Sequence, residues 1–327
     1  MKQRKLGADG PEVGAVGLGC MSFGGLTGPT NEADSFAVMD RAWDMGISHF
    51  DIANIYGPYT SEEVVGRWMA ARGHQPSIAT KASITRDPKH PISNDPAYLE
   101  AELEGSFMRL GVDYVDLFYI HRREPAVPVE EVAGFMGRLI DAGKIGGWGM
   151  SEISPTTLRR GHAETPVTAV QNEYSLWTRL PELGLLQECN RLGVTFVAFS
   201  PLARGVFGRS VIDPAHSDFG AFRREMPRFQ EPNWSQNKSR AEAFHTLAAS
   251  YGHRAPALAL AWLLAKGDHV IPIPGSRTAA HAGDWAQADS IEMTPDLVAQ
   301  IDAVLPVGWA WGDRYSDGQS RAPERYC

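Results

Sequence analysis

Two hydrophobic periods take turns along this chain. Short runs rich in apolar and β-branched residues recur at 16–19, 49–53, 77–81, 115–121, 147–151, 169–173, 195–200 and 269–274, each bounded by glycine, proline or charge. Their apolar residues follow one another instead of alternating with polar ones, which predicts strands covered on both faces, as in a parallel sheet. Between them the spacing is helical. Phe36, Met39 and Trp43 share a face, as do Val64, Trp68 and Met69, and Leu99, Leu103, Phe107 and Leu110. Val132, Phe135, Met136 and Leu139 repeat the stripe, as do Ala241, Phe244, Leu247 and Ala248. Helix starts are marked at Thr60-Ser61-Glu62-Glu63 and at Ser154-Pro155, where a capping side chain precedes or opens the first turn.

Strand–helix alternation repeated eight times predicts an α/β chain folded as a (β/α)8 TIM barrel. The expectation is a single domain over residues 1–327, with a short N-terminal β-hairpin and long loops at the C-terminal face of the barrel. Two segments break the rhythm. Residues 204–236 mix glycine, proline, aromatic and charged residues without a period, and a loop of that length in a compact domain is usually functional. Residues 307–327 are rich in Trp, Gly, Asp and Arg and carry no helical stripe.

Composition narrows the class. The 327 residues are 43% apolar, enough for a large core, and the net charge of −8 argues against a nucleic-acid partner. The start MKQRKLGADG has basic residues but no apolar run behind them, so it does not read as a secretory signal. The most apolar stretch, 255–265, is shorter than the ~20 residues that span a bilayer and predicts a buried helix. Cys20, Cys189 and Cys327 lie far apart, which suits a reducing, cytoplasmic setting without a membrane partner. The sequence leaves room for an oligomer.

Catalysis in such a barrel sits at the C-terminal ends of the strands. Those ends bring Asp51, Lys81 and His121 from the second, third and fourth runs, with Tyr56 five residues beyond Asp51. Each alone reads equally as structure: a satisfied ion pair, a core histidine, a packed aromatic. Together on consecutive strand ends they point to a site. Two other chemistries fit poorly. Gly17-Leu18-Gly19 lacks the third glycine of a dinucleotide fingerprint, and no two histidines have the spacing of a zinc site.

The run His49-Phe50-Asp51-Ile52-Ala53-Asn54-Ile55-Tyr56-Gly57 resembles the FDxAxxYG motif of the aldo-keto reductases. So do Lys81 in Ala-Thr-Lys, His121 after Asp116-Leu117-Phe118-Tyr119-Ile120, Gly149-Met150-Ser151, Gln171 in Val-Gln-Asn-Glu-Tyr, Ser200-Pro201-Leu202, and Ile271-Pro272-Ile273-Pro274-Gly275-Ser276. Arg4-Lys5-Leu6-Gly7 and Gly17-Leu18-Gly19-Cys20-Met21 are similar to the bacterial and plant broad-specificity branch. The resemblance covers nearly the whole chain.

It implies an NAD(P)H-dependent oxidoreductase that reduces the carbonyl of a small aldehyde or ketone. Tyr56 is then the proton donor, with Lys81 lowering its pKa, Asp51 holding Lys81 charged, and His121 hydrogen-bonding the substrate carbonyl. It also implies a nicotinamide site: Ser151 and Gln171 on the carboxamide, and Phe199 stacked on the ring where tyrosine is usual. Gly19, Cys20, Met21 and Asp51 border it. Ser200, Leu202, Arg204 and Gly205 line the pyrophosphate, while Gly275, Ser276, Arg277 and Asp284 lie toward the adenosine end.

Arg277 beside Ser276 suits a 2′-phosphate and favours NADPH over NADH; a plain surface charge is its other reading. The chain departs from the family at Glu152, where asparagine is common, and at His281 and Trp285 in the adenine region. Two alternatives stand beside reduction: a nucleotide-sensing subunit resembling potassium-channel β subunits, and the reverse oxidation of a sugar or alcohol with NAD(P)+. The pocket walls are expected from Met21, Phe23, Tyr119, Trp177, the 204–236 loop and the tail. Trp177, Trp234, Trp309 and Trp311 form either an aromatic mouth or ordinary packing of the tail.

Overall fold

The computed structural model describes residues 1–216 and 220–324. Cys327, like the last residues of the tail and three residues of the 204–236 loop, lies outside them.

Eight parallel strands follow one another around a barrel: β3 (Leu18–Gly19), β4 (His49–Asp51), β5 (Ser77–Ala82), β6 (Leu117–Ile120), β7 (Trp148–Ser151), β8 (Ala169–Glu173), β9 (Thr195–Phe199) and β10 (Val270–Ile273). Each predicted run coincides with one of them, β5 extending one residue beyond its run. Every residue of β4, β6, β7, β8 and β10 is buried, which explains their unbroken apolar runs. The circle closes where Gly17 N–H donates to Pro272 O and Gly19 N–H to Pro274 O, both at 2.9 Å. The chains approach so closely there that a Cβ on Gly19 would stand 2.8 Å from the Ile273 carbonyl oxygen. Only glycine fits that seam.

Helices ring the barrel: α1 (Glu32–Asp44), α2 (Thr60–Arg72), α3 (Pro96–Leu110), α4 (Val129–Asp141), α5 (Pro155–Glu164), α6 (Leu185–Leu192), α7 (Ala221–Arg224), α8 (Asn233–Ser250), α9 (Ala255–Leu264), α10 (Ala279–Ala282) and α11 (Pro295–Val304). Helix α9 is the apolar stretch read from the sequence, and all ten of its residues are buried. No helix among the described residues is long and apolar enough to cross a membrane.

Two cores result. The larger one, with Trp68, Trp148 and Trp262, fills the space between strands and helices. A smaller one fills the barrel interior, where Leu117, Val197 and Ile271 meet Leu6 and Val13. Those last two come from the N-terminal hairpin of β1 (Gln3–Lys5) and β2 (Glu12–Gly14), which floors the barrel and is tied to β9 by Gly7 N–H donating to Thr195 Oγ1 at 2.6 Å.

The helix starts divide. Ser154 caps α5 by accepting from Thr157 N–H, as its position before Pro155 predicts. At α2 the expected cap is absent: Tyr59 precedes the helix with φ 68°, and no side chain caps the turn. Thr60 Oγ1 instead donates to Gly57 O, Ser61 Oγ to Cys20 O, and Glu62 is buried against Thr80 and Arg109. Tertiary partners claimed those polar groups first.

The 204–236 segment is packed, with Met226, Phe229 and Trp234 buried. The tail straps across the same end. Trp309 donates to Leu176 O at 2.6 Å and meets Trp177 edge to face at 5.5 Å. Trp177, Trp234 and Trp309 are buried and fasten loop and tail to the barrel, as the packing reading expects, whereas Trp311 is exposed.

Candidate active site

The strand ends deliver four polar side chains to one place. Asp51 closes β4, Lys81 lies near the end of β5, His121 follows β6, and Tyr56 stands in the turn after β4. Lys81 Nζ is ion-paired with Asp51 Oδ1 and donates to Ile52 O at 2.7 Å. The other Asp51 oxygen accepts from Gln171 Nε2 at 2.7 Å. The ammonium is 5.2 Å from the centre of the Tyr56 ring, and the Tyr56 and His121 rings meet edge to face at 5.8 Å. Exposure sorts the four. Lys81 is 0% and Asp51 2% exposed, whereas Tyr56 keeps 9% and His121 7%. The ion pair is sealed, and the phenol and imidazole keep most of the little exposure the four have.

Electrostatics set their protonation. Burial is the largest influence on Tyr56 and raises its pKa; Lys81 and Arg122 pull it down, Asp51 pushes it up, and the net direction is upward. Lys81 lowers the Tyr56 pKa as expected, but its pull does not bring the phenol below its ordinary value. Burial outweighs the cation, and the phenol keeps its proton at neutral pH. Lys81 is penalised by burial, yet the neighbouring Asp51 and Tyr56 hold its pKa above the ordinary value. Burial first, then the Arg122 and Lys81 cations, push His121 well below its usual range. Its ring is neutral, and Nδ1 is buried without a partner, so the single proton is best used at Nε2 as a donor toward the opening.

The candidate nucleotide residues come from the remaining strand ends and the loops after them. Ser151 and Gln171 are register partners on β7 and β8. Phe199 ends β9 and is half-buried. Beyond it the backbone takes left-handed values at Ser200 (φ 50°), Ala203 (φ 50°), Arg204 (φ 55°) and Gly205 (φ 105°), with Leu202 between. The ends of β3 and β10 abut, and a Cβ on Gly275 would meet the Gly19 oxygen at 2.8 Å. Ser22 Oγ donates to Ser276 O at 2.8 Å across the same join, next to Cys20 and Met21. Cys20 is fully buried, so its neighbourhood offers main chain and not the thiol. This mix of close-approach glycines, a left-handed turn and amide and hydroxyl donors fits a dinucleotide lying along the strand ends.

A family model described as the Aldo/keto reductase family matches residues 15–306. The chain belongs to the aldo/keto reductase family. It is 37% identical to a probable aldo-keto reductase of Glycine max, over 99% of this chain and 94% of that protein. It is 35% identical to an aldo-keto reductase [NADP(+)] of Schizosaccharomyces pombe, over 96% and 94%. Among solved structures, a glycerol dehydrogenase from Gluconobacter oxydans superposes with a TM-score of 0.83 at 26% identity, covering 93% of this chain and 94% of that one. A thermostable aldo-keto reductase solved with the inhibitor epalrestat gives 0.74 at 27%, covering 93% and 100%. The protein is an oxidoreductase acting on carbonyls.

Against that family background, two expected contacts are differently placed. The Arg204 guanidinium is spent on Glu173 at 2.6 Å and lies over the Tyr315 ring, so this position offers a pyrophosphate its backbone rather than its charge. Asp284, expected toward the adenosine end, is gripped by Arg209 at 2.8 and 2.9 Å and by Arg254 at 3.4 Å. His281 is held neutral there by burial and by Arg209 and Arg277.

The departure at Glu152 has a partner that the sequence reading missed. Glu152, at φ 57°, is buried and ion-paired with Arg314 from the tail, and it accepts from Glu173 N–H at 3.0 Å. Arg314 also reaches Glu173 at 3.4 Å. A buried chain Glu152–Arg314–Glu173–Arg204 thus fastens the tail to the ends of β7, β8 and β9. Burial opposes the Glu173 charge, but Arg204, Arg314 and Arg228 overcome it and lower its pKa from 4.5 to about 2. A depressed carboxylate contributes stability that is fully present above its ordinary value and is lost as pH falls through the folded one. Unfolding free energy, measured by denaturant titration, should therefore fall between pH 4.5 and about 2 in the native protein. The Glu173→Gln variant should lose much of that slope; an unchanged slope would place the acid sensitivity elsewhere.

Proposed function

We propose that the protein is an NADPH-dependent carbonyl reductase in which Tyr56 gives its proton to the carbonyl oxygen of an aldehyde or ketone. The observation that carries this reading is the sealed Asp51–Lys81 pair beside a protonated phenol and a neutral imidazole, the two most exposed of the four. Lys81 stabilises the phenolate left after proton transfer, and Asp51 keeps that ammonium charged and in place. His121 Nε2–H orients and polarises the carbonyl oxygen. When bound, the nicotinamide supplies the hydride that adds to the carbonyl carbon. Gln171, tied to Asp51, and Ser151 would fix the carboxamide, Phe199 would stack on the ring, and Glu152 takes the usual asparagine position with Arg314 behind it. The same groups in reverse protonation serve alcohol oxidation, which suits the structural likeness to a glycerol dehydrogenase.

The preference for NADPH rests on Ser276, Arg277 and the neighbouring Arg209 at the adenosine end, and the name of the fission-yeast relative carries NADP(+). Cys20 and Cys189 are free and buried, which suits a reducing cytoplasm.

Tyr56→Phe should lower the kcat of aldehyde reduction at least about a hundredfold, the scale of a lost general acid, while the Kd for NADPH, read by fluorescence titration, changes little. Wild-type turnover in that variant would remove Tyr56 from the role. Arg277→Ala should raise the KM for NADPH more than that for NADH, since only the former carries the extra phosphate; an equal rise in both would make Arg277 a bystander.

A further inference from the structure

Charge is unevenly committed around the opening. Every carboxylate there is engaged: Asp51 by Lys81 and Gln171, Glu152 by Arg314, Glu173 by Arg204 and Arg314. Two arginines follow His121 directly. Arg123 is paired with Glu324 of the tail at 3.1 Å. Arg122 is not: among the described residues no carboxylate lies within ion-pair distance of it.

Its guanidinium is nevertheless fixed in place. Nη1 donates to His121 O at 2.6 Å and to Ser151 Oγ at 3.1 Å, and its main-chain N–H donates to Ser83 Oγ at 2.8 Å. The other edge of the fork, Nε and Nη2, has no protein partner, and neither atom is among the buried polar atoms left unpaired. Those two nitrogens therefore keep some contact with solvent. The cation is near enough to act on Tyr56 and His121 on one side and on Tyr315 of the tail on the other. An oriented, half-buried guanidinium with one free edge, beside the phenol and the imidazole, has the geometry that receives two carboxylate oxygens.

We propose that Arg122 is a specificity residue that binds a carboxylate carried by the substrate, so that the favoured substrates are acidic aldehydes or ketones. This rests on the carbonyl-reductase reading. The carboxylate is held at the free Nε/Nη2 edge while the carbonyl lies at Tyr56 and His121. The competing role, in which Arg122 merely braces Ser151 for the cofactor, affects acidic and neutral substrates alike.

The test compares succinic semialdehyde with butanal, which puts a methyl group where the acid has its carboxylate, on the NADPH-loaded enzyme. Wild type should favour the acid in kcat/KM by about tenfold to a hundredfold, the range of one hydrogen-bonded charge contact. Arg122→Gln should collapse that ratio toward one, chiefly through the KM of the acid, and Arg122→Lys should recover part of it by keeping charge without the fork. A ratio untouched by Arg122→Gln would overturn the proposal, as would equal losses on both aldehydes with a weakened Kd for NADPH. Calorimetric binding of succinate to the NADP+-loaded protein decides independently of turnover. Weaker binding in Arg122→Gln supports the subsite even if neither aldehyde is reduced, an outcome that would sink the reductase reading alone; equal binding by both proteins would reject the subsite.

Discussion

A buried ion pair organises this molecule's chemistry. Lys81 and Asp51 are almost fully excluded from solvent at the top of the barrel, each charge tolerable only because the other is present. The pair holds an ammonium beside the Tyr56 phenol and, through Gln171, joins that ammonium to β8. Consecutive parallel strands make it possible: β4 and β5 lie side by side, and β5 runs on past Ala79, the register partner of Asp51, to Lys81 and Ala82. The circle closes at the Gly17–Gly19 seam.

Burial has a second consequence. The same low-dielectric surroundings that strengthen the Asp51–Lys81 attraction raise the pKa of Tyr56 and depress that of His121. A protonated phenol and a neutral imidazole are both hydrogen-bond donors, and a carbonyl oxygen that gains negative charge needs donors. Lys81 acts on the product side of the transfer, by favouring the phenolate once the proton has left.

Much of this was legible in the chain. Strand and helix periods alternate so regularly because parallel strands are buried on both faces and their helices on one, and the tetrad falls at strand ends within the run from His49 to Gly57 and at Lys81 and His121. What was not legible depends on contacts distant in sequence. Glu152 reads as a loss of a family asparagine until Arg314, 162 positions away, is seen against it. Arg204 reads as a free cation until Glu173 and Tyr315 enclose it. The polar start of α2 reads as a cap until Cys20, Thr80 and Arg109 take its side chains. Arg122 and Arg123 follow His121 alike in the sequence, and only the tail's Glu324 distinguishes the ion-paired arginine from the one without a carboxylate.

The central claim is that the Lys81 cation acts on the Tyr56 phenol within a site whose burial keeps that phenol protonated. Titration of Tyr56 by NMR of carbon-labelled tyrosine, assigned against a variant lacking it, measures this directly. The account predicts a midpoint above that of free tyrosine in the native protein, moving further upward in Lys81→Met. A midpoint below free tyrosine, or one indifferent to removal of the ammonium, would contradict it.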